Sequence, residues 1–445
     1  MKMYEKMELT RNGAEDSLIL TENGIKKAKI TKGKKDNISE DPNENIVFKL
    51  ERYLKLRYEF RYNEVLKDVE YTKAKSSEDF VTLDEERELP GIRIELAKKG
   101  FKGYKAHLSD LIKTRSFSPT FHPFKSYFES LPHWKEGQKD YIKELCKYVK
   151  VKDSEWFELM LKKHLVRTAA CGLRRLDFNK HCLTLQGKQN DGKTSFIRFL
   201  SPPLLKSYYK ENPPLDNKDS MIALGQNLLI NLDELEGFDK ADAKKVKSLF
   251  SQTDLKVRLV YGPKDVLQPR YASFFATINE LEFLNDVTGN VRWLVFEVLD
   301  IIHDDGGKNG YNQNININDV WAQVYALLNT GYQYHLAKDE IEEVNKRNKN
   351  HEKSFLEKEL VERHFEPAIE KEAGTYFLTS TDILQAIQIA TVGSLRINPT
   401  MIGRACTALG FFKAKRSVYG YWMKSKNLKI SEILENHLTI LPYGS

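Results

Sequence analysis

The spacing of apolar positions changes several times along this chain, and each change marks a different kind of element. Residues 1–44 are charge-rich and show no sustained apolar period. Their run Lys26-Lys27-Ala28-Lys29-Ile30-Thr31-Lys32-Gly33-Lys34-Lys35 reads as a solvated, poorly ordered tail or as a nucleic-acid arm. From Ile46 the spacing turns helical, through Val47, Leu50, Tyr53 and Leu54. Phe60-Arg61-Tyr62-Asn63 and Asp68-Val69-Glu70-Tyr71 look like paired strands, and residues 84–98 and 104–112 like helices. Residues 45–135 therefore predict a small α+β domain. A helical stretch over 138–173 follows.

Residues 175–300 alternate strands with helices, the pattern of a parallel sheet with crossover helices. Residues 303–314, rich in Gly, Asn and Asp, read as a loop, and 319–336 as a helix with Val320, Trp321, Val324 and Leu327 on one face. Residues 340–362 read as a charged helical linker. In the last unit, Ser380 is placed to cap a helix carrying Ile383, Leu384 and Ile387. Asn398-Pro399 is a cap followed by proline at the first helical position, and that helix stops at Gly410. Phe411-Phe412-Lys413-Ala414-Lys415 and Tyr419-Gly420-Tyr421-Trp422-Met423 then alternate like a hairpin. Two helices followed by a basic hairpin predict a winged-helix-like unit. The division is a tail over 1–44, a domain over 45–135, an α/β domain over 136–340, a linker over 341–374 and the last unit over 375–445.

Gly187-Lys188-Gln189-Asn190-Asp191-Gly192-Lys193-Thr194 is a complete G-x-x-x-x-G-K-[ST] phosphate loop. The strand-like Cys182-Leu183-Thr184-Leu185-Gln186 precedes it, and an apolar-faced helix from Ser195 follows, the context the motif demands. Gly187, Gln189, Asn190, Asp191, Gly192, Lys193, Thr194 and Ser195 would surround the phosphates of ATP. Lys193 would reach the β- and γ-phosphates, and the Thr194 hydroxyl would ligate Mg2+.

A second apolar strand, Asn227-Leu228-Leu229-Ile230-Asn231-Leu232, ends in Asp233-Glu234. A carboxylate at such a tip holds magnesium, and one beside it deprotonates the attacking water. Asp233 is assigned to the metal and Glu234 to the base; an ordinary acidic helix start reads the same way. Phe274-Phe275-Ala276-Thr277-Ile278-Asn279 is a further strand whose terminal Asn279 is a candidate γ-phosphate sensor or a turn residue. Arg292, before the strand Leu294-Val295-Phe296, is a candidate finger toward a neighbouring subunit's nucleotide, with a local ion pair as the plainer role and Arg270 in reserve. Two strand-like runs flank Gly262-Pro263, a hairpin whose tip carries Lys264, either structural or DNA-tracking. Lys413, Lys415 and Arg416 lie in an acid-free stretch, 411–429, which is a DNA contact or a solvated rim.

Composition limits the partners more than it names them. A length of 445 residues suits about three domains. The formal charge of +7 permits a polyanionic partner. No apolar run approaches the roughly 20 residues that span a bilayer, so no membrane role is expected. Met1-Lys2-Met3-Tyr4-Glu5-Lys6 lacks the apolar core of a secretory signal. Cys146, Cys171, Cys182 and Cys406 form no C-x-x-C pair, which points away from zinc and disulfides and fits a cytoplasmic protein.

These residues in this order resemble the virulence-associated protein E family, related to superfamily 3 helicases and to AAA+ ATPases. The likeness rests on the phosphate loop, on Asp233-Glu234-Leu235-Glu236, on Tyr261-Gly262, on Ala276-Thr277-Ile278-Asn279-Glu280 and on Thr288-Gly289-Asn290-Val291-Arg292. Phe283-Leu284 and Trp321-Ala322 also look like the family. Two departures stand out: Pro263-Lys264 and Val291 stand where arginines are frequent. The resemblance implies an AAA+-type P-loop core and ATP-driven unwinding or translocation of single-stranded or duplex DNA. It also implies a homo-oligomeric, hexameric ring in the replication of a mobile element or prophage. Residues 1–120 show no acidic metal constellation for primer synthesis; the resemblance implies that a primase lies upstream or on a separate chain. The alternative is a nucleotide-switched DNA-binding initiator or phage-interference factor that does not unwind.

Overall fold

The computed structural model describes residues 17–21, 24–28 and 44–443, apart from 216–217, 234–239, 258–265, 285–289, 304–307, 353–354, 371 and 392–395. It is a mixed α/β structure with several sheets and many helices. Ser17–Thr21 pairs antiparallel with Gly24–Ala28; the rest of the expected tail before Glu44 lies outside the described residues. The chain groups into two compact units, Met1–Tyr62 with Asp68–Thr120 and Asn63–Lys67 with Phe121–Ser445.

In the first unit, Asn45 starts the helix Ile46–Arg57 by accepting from Val47 N at 2.9 Å. Strand Tyr58–Asn63 lies beside Asp68–Lys73, as their alternation predicts. The expected helix at 84–98 begins only at Glu88. Asp84 Oδ1 takes the backbone amides of Glu86 and Glu88 and holds a turn in place of the first helical residues. Leu50, Leu54, Phe60, Ile92, Leu96, Leu108 and Ile112 form the core.

The second unit is built on a six-stranded sheet. Its order is Val149–Val151, Trp293–Ile301, Cys182–Gln186, Ser273–Ile278, Leu229–Leu232, Tyr209–Glu211. The last five are mutually parallel. From Gln186 the chain crosses to the far edge at Tyr209 and returns strand by strand to Ser273. It then passes over Cys182–Gln186 to Trp293. Both sheet faces are covered, so alternate residues enter different cores: Leu183, Leu185, Phe275 and Leu294 on one side, Cys182, Ile230, Phe274 and Val295 on the other. Trp321, on the helix Ile317–Asn329, is fully buried and donates to Leu200 O at 2.9 Å.

The stretch 138–173 is not one helix. Helix Tyr141–Cys146 is followed by strand Val149–Val151 and then by helix Ser154–Gly172, capped by Asp153. The break is tertiary: Val151 pairs antiparallel with Val298 on the sheet edge. The charged segment at 340–362 is likewise split into the helices Lys338–Asn348 and Leu356–His364. Leu360, Val361 and Phe365 belong to the C-terminal core with Leu378, Ile383, Ile402 and Met423.

In that C-terminal region the helices Ser380–Ala390 and Pro399–Ala408 precede the pair Lys413–Lys415 and Tyr419–Ser425, in register Lys415↔Tyr419. The cap of the first helix is Thr379, not Ser380: its Oγ1 accepts from Asp382 N at 3.2 Å, and Asp382 Oδ2 accepts from Thr379 N at 2.8 Å. This reciprocal capping box satisfies two orphan amides where Ser380 would satisfy one. Asn398 caps the second helix, with Pro399 following. Among the described residues no helix is long and apolar enough to cross a membrane.

Candidate functional site

The Cys182–Gln186 strand runs directly into Gly187, whose N–H donates to Ile278 O on the neighbouring strand at 3.0 Å. A Cβ at Gly187 would stand 3.0 Å from Val298 O and 3.2 Å from Asp191 Oδ2, so any side chain at the first loop position would be tightly crowded. Asn190 and Gly192 turn left-handed, with φ of 68° and 78°. Such turns aim successive backbone N–H groups into one concavity, an anion-binding shape. Helix Lys193–Phe199 then begins.

Three contacts draw distant segments to this loop. Lys193, 5% exposed, donates from Nζ to Gly187 O and to Asn279 Oδ1, each at 3.0 Å, and also to Lys188 O. Thr194 Oγ1 donates to Asp233 Oδ1 at 2.8 Å. Thr277 Oγ1 donates to the same carboxylate oxygen. Two supports hold the frame: Asn212 Oδ1 accepts from Asp233 N at 2.7 Å, and Gln186 Nε2 donates to Asn279 O at 3.2 Å. The cleft so formed has a volume of about 480 Å3. Gln189, Asn190, Asp191, Gly192, Lys193, Thr194, Ser195, Asp233 and Asn279 all line it. Two hydroxyls and a carboxylate at one point form a hard oxygen set, the donor chemistry of Mg2+. A lysine amine beside them is a point charge suited to phosphate.

Glu234 and Lys264 lie outside the described residues; the strands Asp254–Val257 and Val266–Pro269 that lead toward Lys264 pair antiparallel. Arg292 lies in the turn Asn290–Arg292, before a strand that pairs Trp293 with Cys182 and Glu297 with Gln186. It is therefore at the opposite end of the sheet from the cleft. Its Nη2 donates to Ser251 Oγ at 3.4 Å. Arg270 is no substitute. It is fully buried and donates to the carbonyls of Ala272, Leu249, Phe250, Gln252 and Asn179. Lys413, Lys415 and Arg416 are exposed on the C-terminal hairpin. The two lysine amines lie 5.0 and 5.6 Å from the Tyr419 ring, and the Arg416 guanidinium covers Trp422 at 4.6 Å.

Sequence reading missed Thr277, Gln186 and His303 as parts of this site. Thr277 shares a strand face with Asn279, two residues on, so period-two polarity at an apolar strand's end was an available signal. His303 lines the cleft and lies over Gly192, where an added Cβ would meet its side chain at 3.4 Å. Only the sheet order brings the end of Trp293–Ile301 beside the loop.

The site is thus a polar cleft at the carboxyl ends of parallel strands, the place where open α/β sheets bind ligands. Residues 128–353, just over half of the chain, match the Virulence-associated protein E-like domain, and the chain belongs to that family. Among solved structures, the apo NrS-1 C-terminal region is similar over 86% of this chain and 99% of that chain, at 12% identity and a TM-score of 0.48. The A-form apo structure of that region is 13% identical over 86% and 100%, with a TM-score of 0.47. The SCCmec type IV Cch active helicase is 12% identical over 80% and 90%, with a TM-score of 0.33. No curated protein matches the chain.

Proposed function

We propose that this chain is a P-loop ATPase of the AAA+ type that hydrolyses ATP between subunits of a homo-oligomeric ring. Its work is the unwinding or translocation of DNA in the replication of a mobile element. The observation that carries the reading is the Thr194–Asp233 contact at 2.8 Å, which joins a phosphate loop to a strand-tip carboxylate. Lys193 on Asn279 Oδ1 places a cation between that loop and a third strand end.

The cleft suits a triphosphate with magnesium. The left-handed turns at Asn190 and Gly192 supply amides for phosphate oxygens, and Lys193 supplies charge. Thr194 and Asp233 would hold Mg2+, directly or through water, and Thr277 would orient the carboxylate. When bound, the metal neutralises charge developing on the phosphoryl oxygens. Glu234, next to Asp233 in sequence, is assigned to deprotonate the attacking water, and Asn279 to position that water against the γ-phosphate. Arg292 acts in trans, because its own subunit's cleft lies at the other end of the sheet. The exposed cations of the C-terminal winged-helix-like unit, and Lys264, contact DNA phosphates.

The test uses the full chain. ATP hydrolysis should be stimulated by DNA, and a forked duplex should be displaced in an ATP-dependent manner. ATP turnover that ignores DNA would overturn the DNA-directed reading. DNA stimulation with no displacement would favour a nucleotide-switched initiator.

A further inference from the structure

Asn348 ends the helix Lys338–Asn348 and is 1% exposed. Its Nδ2 donates to Asn290 O at 2.7 Å and to Trp293 O at 2.9 Å. An amide nitrogen carries two protons, so this one group uses both on the two carbonyls that bracket Val291-Arg292. The clamp continues in the next residues. Asn290 Nδ2 donates to Glu352 Oε1 at 2.9 Å, and His351 O accepts from Phe283 N at 3.0 Å and Leu284 N at 2.9 Å. The helix is itself anchored: Lys163 meets Glu340 at 2.8 Å, and Arg347 meets Asp153 at 2.7 Å. Arg292's own bond to Ser251 is long, at 3.4 Å. A cleft of about 510 Å3 is lined by Asn290 and Val291 of the turn, by Asn345, Lys349 and Glu352 beside the clamp, and by residues 407–410 at the end of the helix Pro399–Ala408.

We propose that Asn348 is the positioning residue for Arg292, fixing the turn from which that cation reaches a neighbouring subunit's nucleotide. The inference rests on the in-trans reading of Arg292. Asn348 does not line the nucleotide cleft, so its loss should act on the chemical step and not on ATP binding. A misplacement of about 1 Å in a reacting geometry costs on the order of 100-fold.

The experiment compares full-length Asn348→Ala, Arg292→Ala and Lys193→Ala, alone and mixed, with melting and ATP-analogue affinity measured for each. Asn348→Ala should lower kcat by roughly 10- to 100-fold while KM and analogue affinity hold. It should lose nothing further in an Arg292→Ala background. Mixing it with Lys193→Ala should restore turnover, because the two defects lie on opposite sides of an interface. Mixing it with Arg292→Ala should not. Full turnover by Arg292→Ala would overturn the in-trans reading and this inference together. Loss in Arg292→Ala with normal kcat in Asn348→Ala would overturn this inference alone, as would recovery on mixing those two. If Asn348→Ala does not fold, Glu352→Gln decides the matter. It weakens the outer bond to Asn290, and an unchanged kcat there would count against the clamp.

Discussion

Thr194 and Asp233 are 39 positions apart in the chain, yet the threonine hydroxyl sits 2.8 Å from the aspartate Oδ1. The strand that delivers Asp233 is not the neighbour of the strand that delivers the phosphate loop. Ser273–Ile278 lies between them and contributes Thr277 to the same oxygen. One carboxylate oxygen is thereby held from the helix after the loop and from the intervening strand, an arrangement that would preorganise it for a metal under the proposed function.

Lys193→Ala should abolish ATP turnover and leave the fold intact. The Lys193 amine donates to Gly187 O, Lys188 O and Asn279 Oδ1, bonds that lie at the cleft. Turnover assays beside a melting curve check this. Wild-type turnover in a folded variant would remove the phosphate-loop assignment.

Thr277→Val keeps the β-branched shape that suits a buried strand and removes only the hydroxyl. The Mg2+ concentration for half-maximal ATPase should rise by about 10-fold or more, since groups that orient a metal ligand are typically worth roughly 10- to 100-fold in affinity. A magnesium titration at saturating ATP reads this out. An unchanged titration would mean that Thr277 does not orient a metal ligand.

The two arginines should separate by assay. Arg292→Ala should melt like the wild type, lose turnover alone, and regain some when mixed with Lys193→Ala. Arg270→Ala should lose stability by about 3 kcal/mol or more, because it strands buried carbonyls that now have a charged donor. If Arg270→Ala melts normally, its place in the interior is misjudged.

Lys413→Gln with Lys415→Gln should flatten the salt dependence of DNA binding. Each phosphate that the protein no longer neutralises lowers the slope of log K against log salt by roughly 0.7 to 0.9. Arg416 is the poorer probe, because its guanidinium also packs on Trp422 and Phe377. An unchanged slope for the lysine pair would make this hairpin a packing element.

Stability should fall as pH drops below about 6.5, well before the carboxylates titrate. His122, His164, His181, His335, His351 and His364 are all shifted downward, each chiefly by burial. A histidine with a depressed native pKa binds its proton more readily when unfolded. Its contribution is therefore complete above the unfolded value near 6.5 and is lost below it, by about 1.4 kcal/mol per proton per pH unit. Denaturant midpoints between pH 7.5 and 5.5 would show this, and His181→Gln should shallow the slope. A flat profile would place these rings in contact with solvent.

What sequence could address was local. The G-x-x-x-x-G-K-[ST] run is eight contiguous residues, and the structure gathers Lys193, Thr194, Asp233 and Asn279 at one cleft. The Asn398-Pro399 cap is equally local. Where two local solutions compete, sequence chose less well: Ser380 is a fair cap, but Thr379 can exchange bonds with Asp382. Sheet order was beyond sequence, because pairing joins residues far apart in the chain. Val151 with Val298 broke an expected helix, and the passage over Cys182–Gln186 brought His303 to Gly192. Charge alone could not separate Arg270 from Arg292. Both precede apolar strands; only packing decides that one guanidinium spends its protons on buried carbonyls while the other stays half-exposed with a long bond to Ser251. Local propensity settles which residues can do chemistry, and the long-range pairing of strands settles which of them meet.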